Sequence, residues 1–199
     1  GWSKKQNIQL FLLLSDAFVL LPDPAPPGSA IGGARQGFQG WIKCGFKADG
    51  TMAAADLYII SDNGGKGGGG DAYSAADCIS ILYQTEAVRF RGTSIGSNTG
   101  HRGAQRGPGQ NQIAAIIAPI LDKAAEELGI DRLKIRQINT PQNGDVGGAR
   151  QIPFTSAYMP EALKMGAEQF NLEERMARSR KRNGTKVTGI GIGQGYHNA

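Results

Sequence analysis

The segment Ser97–Gln112, SNTGHRGAQRGPGQNQ, holds four glycines, two arginines, a histidine and a proline, and runs directly into the apolar series Ile113, Ile116 and Ile117. Glycine and proline at this density specify a loop with a demanding backbone. Arginines and free N–H groups in such a loop suit an anion. The series that follows supplies the best helix of the chain, because Ile113, Ile116, Ile117, Ile120, Leu121, Ala124 and Leu128 keep the 3.6-residue period over four turns. A helix beginning near Gln110 turns its positive end toward the same loop. Gly129 marks its end, and Pro119 is expected to kink it or to mark a restart.

Working upstream, GFQGWIKCGFKADGTMAAADLYII (residues 37–60) reads as two strands joined at Asp49-Gly50, a strong hairpin signal between apolar runs. The tract NGGKGGGG (residues 63–70) contains Gly-Lys but lacks the spacing and the Ser/Thr of a phosphate-binding P-loop, so a flexible or tightly turning loop is expected. DAYSAADCISILY (residues 71–83) fits a short helix, and EAVRFRGTSIG (residues 86–96) a strand. Downstream, DRLKIRQIN starts a helix capped by Asp131. MPEALKMGAEQF and NLEERMARSRKRNG give two more, the first with a proline start, the second ending at Asn183-Gly184. KVTGIGIGQGY reads as a glycine-interrupted strand. The class is α+β, with strands in the N-terminal half and helices clustered in the C-terminal half.

The bulk composition agrees. The 199 residues are 40% hydrophobic, enough for one globular domain or two small ones. Thirty glycines are about twice the usual share of roughly 7%, but they are scattered through apolar segments without a period, which excludes collagen. Net charge is +5, much of it in Arg175, Arg178, Arg180, Lys181, Arg182 and Lys186, a run that reads first as a solvated helix end. Cys44 and Cys78 lie far apart without C-x-x-C, which argues against a zinc or iron–sulfur site in this chain and for buried thiols of a reducing compartment. The apolar run Ile8–Leu21 is broken by Ser15 and Asp16 and too short for a membrane span. It imitates a signal peptide but is followed by PDPAPPG rather than a small-residue cleavage site, and so is expected to be a buried element with a Pro-rich connector. Glu86, Asp71 and Asp77 are read as isolated, solvated carboxylates, and His101 and Arg102 as loop surface.

The opening segment resembles a motif of the molybdenum hydroxylases, the xanthine dehydrogenase and aldehyde oxidoreductase family. Their T-N-x-x-x-G-A-F-R-G-F-G-x-P-Q aligns without a gap from Asn98-Thr99 through Gly103-Ala104-Gln105-Arg106-Gly107-Pro108-Gly109 to Gln112. LDKAAEELGIDRLKIRQIN is similar to the family's E-L-G-I-D-P-x-E-L-R-x-x-N segment, and the strand pair, EALKMGAEQF and NGTKVTGIGIGQGY follow in family order. The likeness covers roughly residues 33–196. It departs at Gln105, Pro108 and Asn111, where the family has Phe, Phe and Pro. Residues 1–30 form a poorly matched N-terminal segment, and residues 31–199 a partial molybdopterin-binding domain.

The resemblance implies that this chain is an internal portion of the large, molybdopterin-binding subunit of an enzyme that oxidises an N-heterocycle or aldehyde with water-derived oxygen. It implies a molybdenum-molybdopterin cofactor, expected in the cytosine dinucleotide form. The binding residues carried over are Gly103, Ala104, Gln105, Arg106, Gly107, Pro108 and Gln112, with no protein side chain on the metal. The general-base glutamate is expected outside this chain. [2Fe-2S] and FAD are expected on partner domains or subunits, within a multi-subunit cytoplasmic complex. Arg106 offers a planar fork to oxo ligands or a developing anion. The alternative is a basic RNA-binding module using HRGAQRG and RSRKRNGTK. Against it, no aromatic residues interleave with those clusters as stacking platforms.

Overall fold

A computed structural model describes residues 8–9, 35–65, 70–100, 102–103 and 106–196. The apolar N-terminal run, the Pro-rich connector, Lys66–Gly69, His101, Ala104, Gln105 and His197 therefore lie outside the described residues, apart from the two-residue strand β1 (Ile8–Gln9).

The expected hairpin is the centre of the fold. β2 (Gly37–Lys47) and β3 (Met52–Asp62) pair antiparallel, with Trp41 opposite Tyr58 and Ile42 opposite Leu57. Gly50 sits at the turn with φ +90° and donates its N–H to the Lys47 carbonyl at 3.0 Å. That φ disfavours any side chain, and a Cβ would also crowd Ile130 Cδ1 at 2.9 Å. The inward positions Phe38, Ile42, Cys44 and Phe46 of β2 meet Ala55, Leu57 and Ile59 of β3. α1 (Asp71–Leu82) then returns the chain so that β4 (Ala87–Ile95) lies parallel to β3, giving a sheet ordered β1-β2-β3-β4. Parallel pairing needs such a crossover, and the sequence showed the strand without its direction.

α2 (Gln110–Leu128) buries Ile113, Ile117, Ile120, Leu121 and Ala124 against α1 and the sheet, with Ile116 and Leu128 packed at the margin. It ends on Gly129, left-handed at φ +67° and ψ +26°. Contrary to the expected restart, the helix runs unbroken through Pro119. Pro119 and Ala115, whose carbonyl loses its helical donor, both lie on the exposed face, so that carbonyl is open to solvent. α3 (Arg132–Asn139) starts on Asp131, whose carboxylate accepts from the N–H groups of Leu133 and Lys134 at 2.8 and 3.0 Å. Its last residue stitches helix to hairpin, because Asn139 donates to the Gly50 carbonyl at 2.8 Å and accepts from Met52 N–H at 2.7 Å.

A small sheet, β5 (Val146–Gly147) with β6 (Ile152–Pro153), follows, then α4 (Met159–Gln169) and α5 (Leu172–Arg178). α5 is shorter than expected. It stops at Ser179, Arg180 turns to φ +62°, and Asn183-Gly184 belongs to a tight hairpin between β7 (Arg182–Asn183) and β8 (Lys186–Val187). Asn183 pairs with Lys186 at the end of the strands, and the two-residue loop is Gly184-Thr185, with Gly184 at φ +61° as such turns favour. Residues 188–196 form no strand, so the expected terminal strand reduces to β8. That segment is still anchored: Gln194 is buried and donates to Thr140 Oγ1 at 3.1 Å.

Candidate functional site

The loop between β4 and α2 rests on three supports. The first is the end of β3. Asp62 accepts from Ser97 Oγ at 2.6 Å, from Gly64 N–H at 2.9 Å and from Thr99 Oγ1 at 3.3 Å, and Arg102 lies 3.9 Å away. The Ser97 hydrogen bond, helped by Gly64, Thr99 and the Arg102 charge, holds this carboxyl below its usual range against the opposing effect of burial. Arg102 is therefore tucked against Asp62 rather than on the loop surface where its sequence context put it.

The glycine tract is the second support. Gly65 N–H donates to the Thr99 carbonyl at 3.1 Å and Ser97 N–H to the Gly64 carbonyl at 3.2 Å. Gly64, at φ +69°, is pressed so close that any Cβ would overlap the Gly100 carbonyl. The tract's described part thus turns tightly, as one of its two readings required.

The N-terminus of α1 is the third. Gly109, at φ +73°, lies over its first turn, where a Cβ would overlap the Asp71 carbonyl and come within 2.7 Å of Ala75 N. Asp71 itself is 1% exposed, and neither carboxylate oxygen has a hydrogen-bond partner among the described residues. Burial pushes its pKa up and the nearby Arg35 charge only partly offsets that. The reading of these three carboxylates as isolated and solvated is corrected for Asp71, which is buried, while Asp77 and the exposed Glu86 each have a partner. Asp77 accepts from Ala149 N–H at 2.6 Å, and Glu86 pairs with Lys47.

At the centre of the loop, Arg35 reaches across from the residue before Gln36 and β2. Its guanidinium donates to the carbonyls of Arg106 at 2.6 Å and Gly107 at 3.0 Å. Asn111 bonds the same two carbonyls, through Nδ2 to Arg106 at 3.1 Å and through its N–H to Gly107 at 3.3 Å. Gly107 is buried at φ +72°, and a Cβ would lie 2.7 Å from Asn111 Oδ1. Gln112 is buried and donates to the Gln36 carbonyl at 3.2 Å, while its Oε1, like that of buried Gln110, has no partner among the described residues.

Of the residues singled out in the sequence, Gly107 and Gln112 are buried, Gly103 and Pro108 half-buried, and Arg106 exposed, its guanidinium unengaged among the described residues. Ala104 and Gln105 lie outside the described residues. Arg35, Gln36, Asp62, Asp71 and Gln110 were missed. Only Gln110 stood inside the segment; the others are brought in by strand and helix ends. The cysteines are buried and free, and burial pushes both thiols up to about 12. The basic run lies on α5 and the β7–β8 hairpin, where Arg178 pairs with Glu174 and Arg175 sits 4.4 Å over the Phe170 ring. No helix among the described residues is long and apolar enough to cross a membrane.

The sequence model of the molybdopterin cofactor-binding domain family matches residues 29–140. A putative xanthine dehydrogenase molybdenum-binding subunit of Escherichia coli is 30% identical over 150 residues, which are 74% of this chain and 20% of that protein. Aldehyde oxidoreductase of Megalodesulfovibrio gigas is 26% identical over 167 residues, covering 83% of this chain and 18% of its own. Among solved structures, the aldehyde oxidoreductase from Desulfovibrio desulfuricans superposes on 75% of this chain and 17% of its own with a TM-score of 0.67 at 24% identity. The chain thus spans about a fifth of the length of the curated relatives it matches. Neither these similarities nor the geometry favour the RNA-binding alternative.

Proposed function

The chain belongs to the molybdopterin cofactor-binding domain family, and from that premise we propose that it forms part of the molybdenum-binding subunit of a hydroxylase or dehydrogenase, with residues 103–112 as one of the segments that hold the cofactor. The observation that carries this reading is the loop's construction. Gly107 and Gly109 are both left-handed, and Gly109 is packed so closely on the α1 backbone that no side chain fits, so the turn into α2 presents backbone rather than side chains.

The residues present fit a molybdopterin. Its pterin ring carries N–H donors, and the buried, unpartnered oxygens of Gln110 and Gln112 are acceptors at the start of α2. Its phosphate and oxo ligands are anionic, and the exposed Arg106 guanidinium would serve as a two-pronged donor to such a group. When bound, such a cofactor supplies two-electron oxidation with oxygen derived from water. This chain's part is to bind and orient, with Gly103, Ala104, Gln105, Arg106, Gly107, Pro108 and Gln112 as the contact set. The substrate class is an N-heterocycle or aldehyde, as in the relatives' names, and the cofactor form is the cytosine dinucleotide. Partner domains or subunits would carry [2Fe-2S] and FAD and receive the electrons, in a cytoplasmic complex. The remainder of the subunit would provide the general-base glutamate.

Metal and pterin analysis of the native complex tests this directly. Molybdenum with a pterin in stoichiometric amount is expected, and a preparation free of both overturns the reading.

A further inference from the structure

We propose that Arg35 and Asn111 act as positioning residues, a clamp that fixes the direction of the Arg106–Gly107 backbone; the functional meaning of the clamp rests on the cofactor-binding reading above. Both carbonyls of this short stretch are doubly engaged, each by Arg35 and by Asn111. Two guanidinium N–H groups on adjacent carbonyl oxygens form a fork that one point charge cannot reproduce. Bonds from a charged donor are also stronger than neutral ones.

The consequence follows from peptide geometry. No peptide bond here is cis, so the C=O and N–H of each peptide point in opposite directions. Drawing the Arg106 carbonyl toward Arg35 therefore aims the Gly107 N–H away from the clamp. Gly107 is buried, and no acceptor for that N–H is found among the described residues. The next residue, Pro108, has no N–H. One donor is thus singled out and left for an acceptor that the described chain does not provide. The same clamp sets where the Arg106 side chain leaves the loop. Arg35 also lies within electrostatic reach of buried Asp71.

Asn111 gives the argument independent support. Its N–H and side-chain amide both serve the clamp, whereas a proline there could offer neither. Asn111 also crowds Gly107, so the left-handed glycine and the clamp form one unit.

The test uses the complete molybdenum subunit carrying Arg35→Gln, Arg35→Lys, Asn111→Ala or the double variant Arg35→Gln/Asn111→Ala. Hydrogen exchange over residues 103–112 is compared with that over α1 and β2, alongside kcat, KM and cofactor content. In Arg35→Gln the amides of 106–112 are expected to exchange about tenfold faster or more, with α1 and β2 unchanged and the cofactor retained. Turnover is expected to fall by about 10- to 10²-fold, because small misplacements of an orienting group are costly, while KM changes little. Arg35→Lys falls between wild type and Arg35→Gln. Should Arg35→Gln fail to fold, Arg35→Lys and Asn111→Ala carry the same readouts. Unchanged exchange at 106–112 in the double variant overturns the clamp, as does a rise spread evenly over the core, which marks a structural role only. Wild-type subunit without molybdenum or pterin overturns the cofactor reading instead, and hydrogen exchange in the variants then decides the clamp independently of it.

Discussion

Two segments of this chain share a composition, glycine with arginine, and differ in almost every physical respect. In the loop leading into α2, Gly107 and Gly109 and their neighbour Gly64 hold left-handed backbone against other backbone or side-chain atoms. In the C-terminal stretch, a Cβ added at Gly189, Gly191, Gly193 or Gly195 would meet nothing within 4 Å. The arginines divide the same way. Arg35 and Arg102 point inward to carbonyls and a carboxylate, while the run on α5 and β7–β8 is exposed. Glycine and arginine content therefore says little by itself; what decides is whether another part of the chain closes on the segment.

Substituting glycines separates the two regions most sharply. Gly109→Ala places a methyl group into the Asp71 carbonyl and a side chain at φ +73°. Overpacking and left-handed strain together should destabilise by about 3 kcal/mol or more. Gly191→Ala, in open space, should stay within about 0.5 kcal/mol of wild type. Denaturant midpoints of the two variants check both, and equal shifts would break the comparison.

Removing one arginine probes chemistry in place of fold. Arg106→Ala in the complete enzyme leaves the backbone clamp intact, since Arg106 contributes only its carbonyl to it. Turnover should fall by about 10²-fold through loss of one preorganised donor, with little rescue by Arg106→Lys. Normal turnover would leave Arg106 outside the site.

Which parts were legible in the sequence follows the range of the forces involved. The hairpin at Asp49-Gly50, the Asp131 cap, the Gly129 stop and the α2 period are local, and each stands where expected. The parallel direction of β4 is set by α1 packing across the sheet, which no residue within β4 encodes. α5 ends at Arg178, before the left-handed Arg180, and Asn183-Gly184 falls in the hairpin beyond it rather than at the helix end. Within the site, the loop was recognisable from its own residues, but its supports come from afar: Arg35 binds a carbonyl 72 positions away, and Gly109 packs on the backbone of buried Asp71. Nothing adjacent to Arg35 or Asp71 in the chain announces either.

Asp71 offers a pH-dependent version of the same contrast. Its carboxyl is pushed up by burial, so the ionised form is disfavoured in the folded chain relative to the unfolded one. The associated stability is complete below the unfolded carboxylate range and is lost as pH rises through the folded value. Asp71→Asn should therefore raise the unfolding midpoint near neutral pH, and the gain should vanish in acid. Asp62, held down by Ser97, has the opposite sign. Asp62→Asn should destabilise at neutral pH, and that loss should shrink as pH falls. Melting curves of both variants across pH distinguish the two, and parallel profiles would show that burial does not dominate at Asp71.

The smallest effect is expected where charge is densest. Arg178, Arg180 and Lys181 lie on the exposed end of α5 and the turn after it, and Arg178 reaches only its i−4 neighbour Glu174. Exposed pairs of this kind gain little in high dielectric and give up side-chain entropy to form. Replacing all three by glutamine should leave the unfolding midpoint and the cofactor content indistinguishable from wild type. The change removes three of the chain's positive charges, so salt-dependent association with acidic surfaces is the property it would alter. A marked loss of cofactor in this triple variant would bring the basic run next to the site, and the division between a closed loop and an open, charged tail would no longer hold.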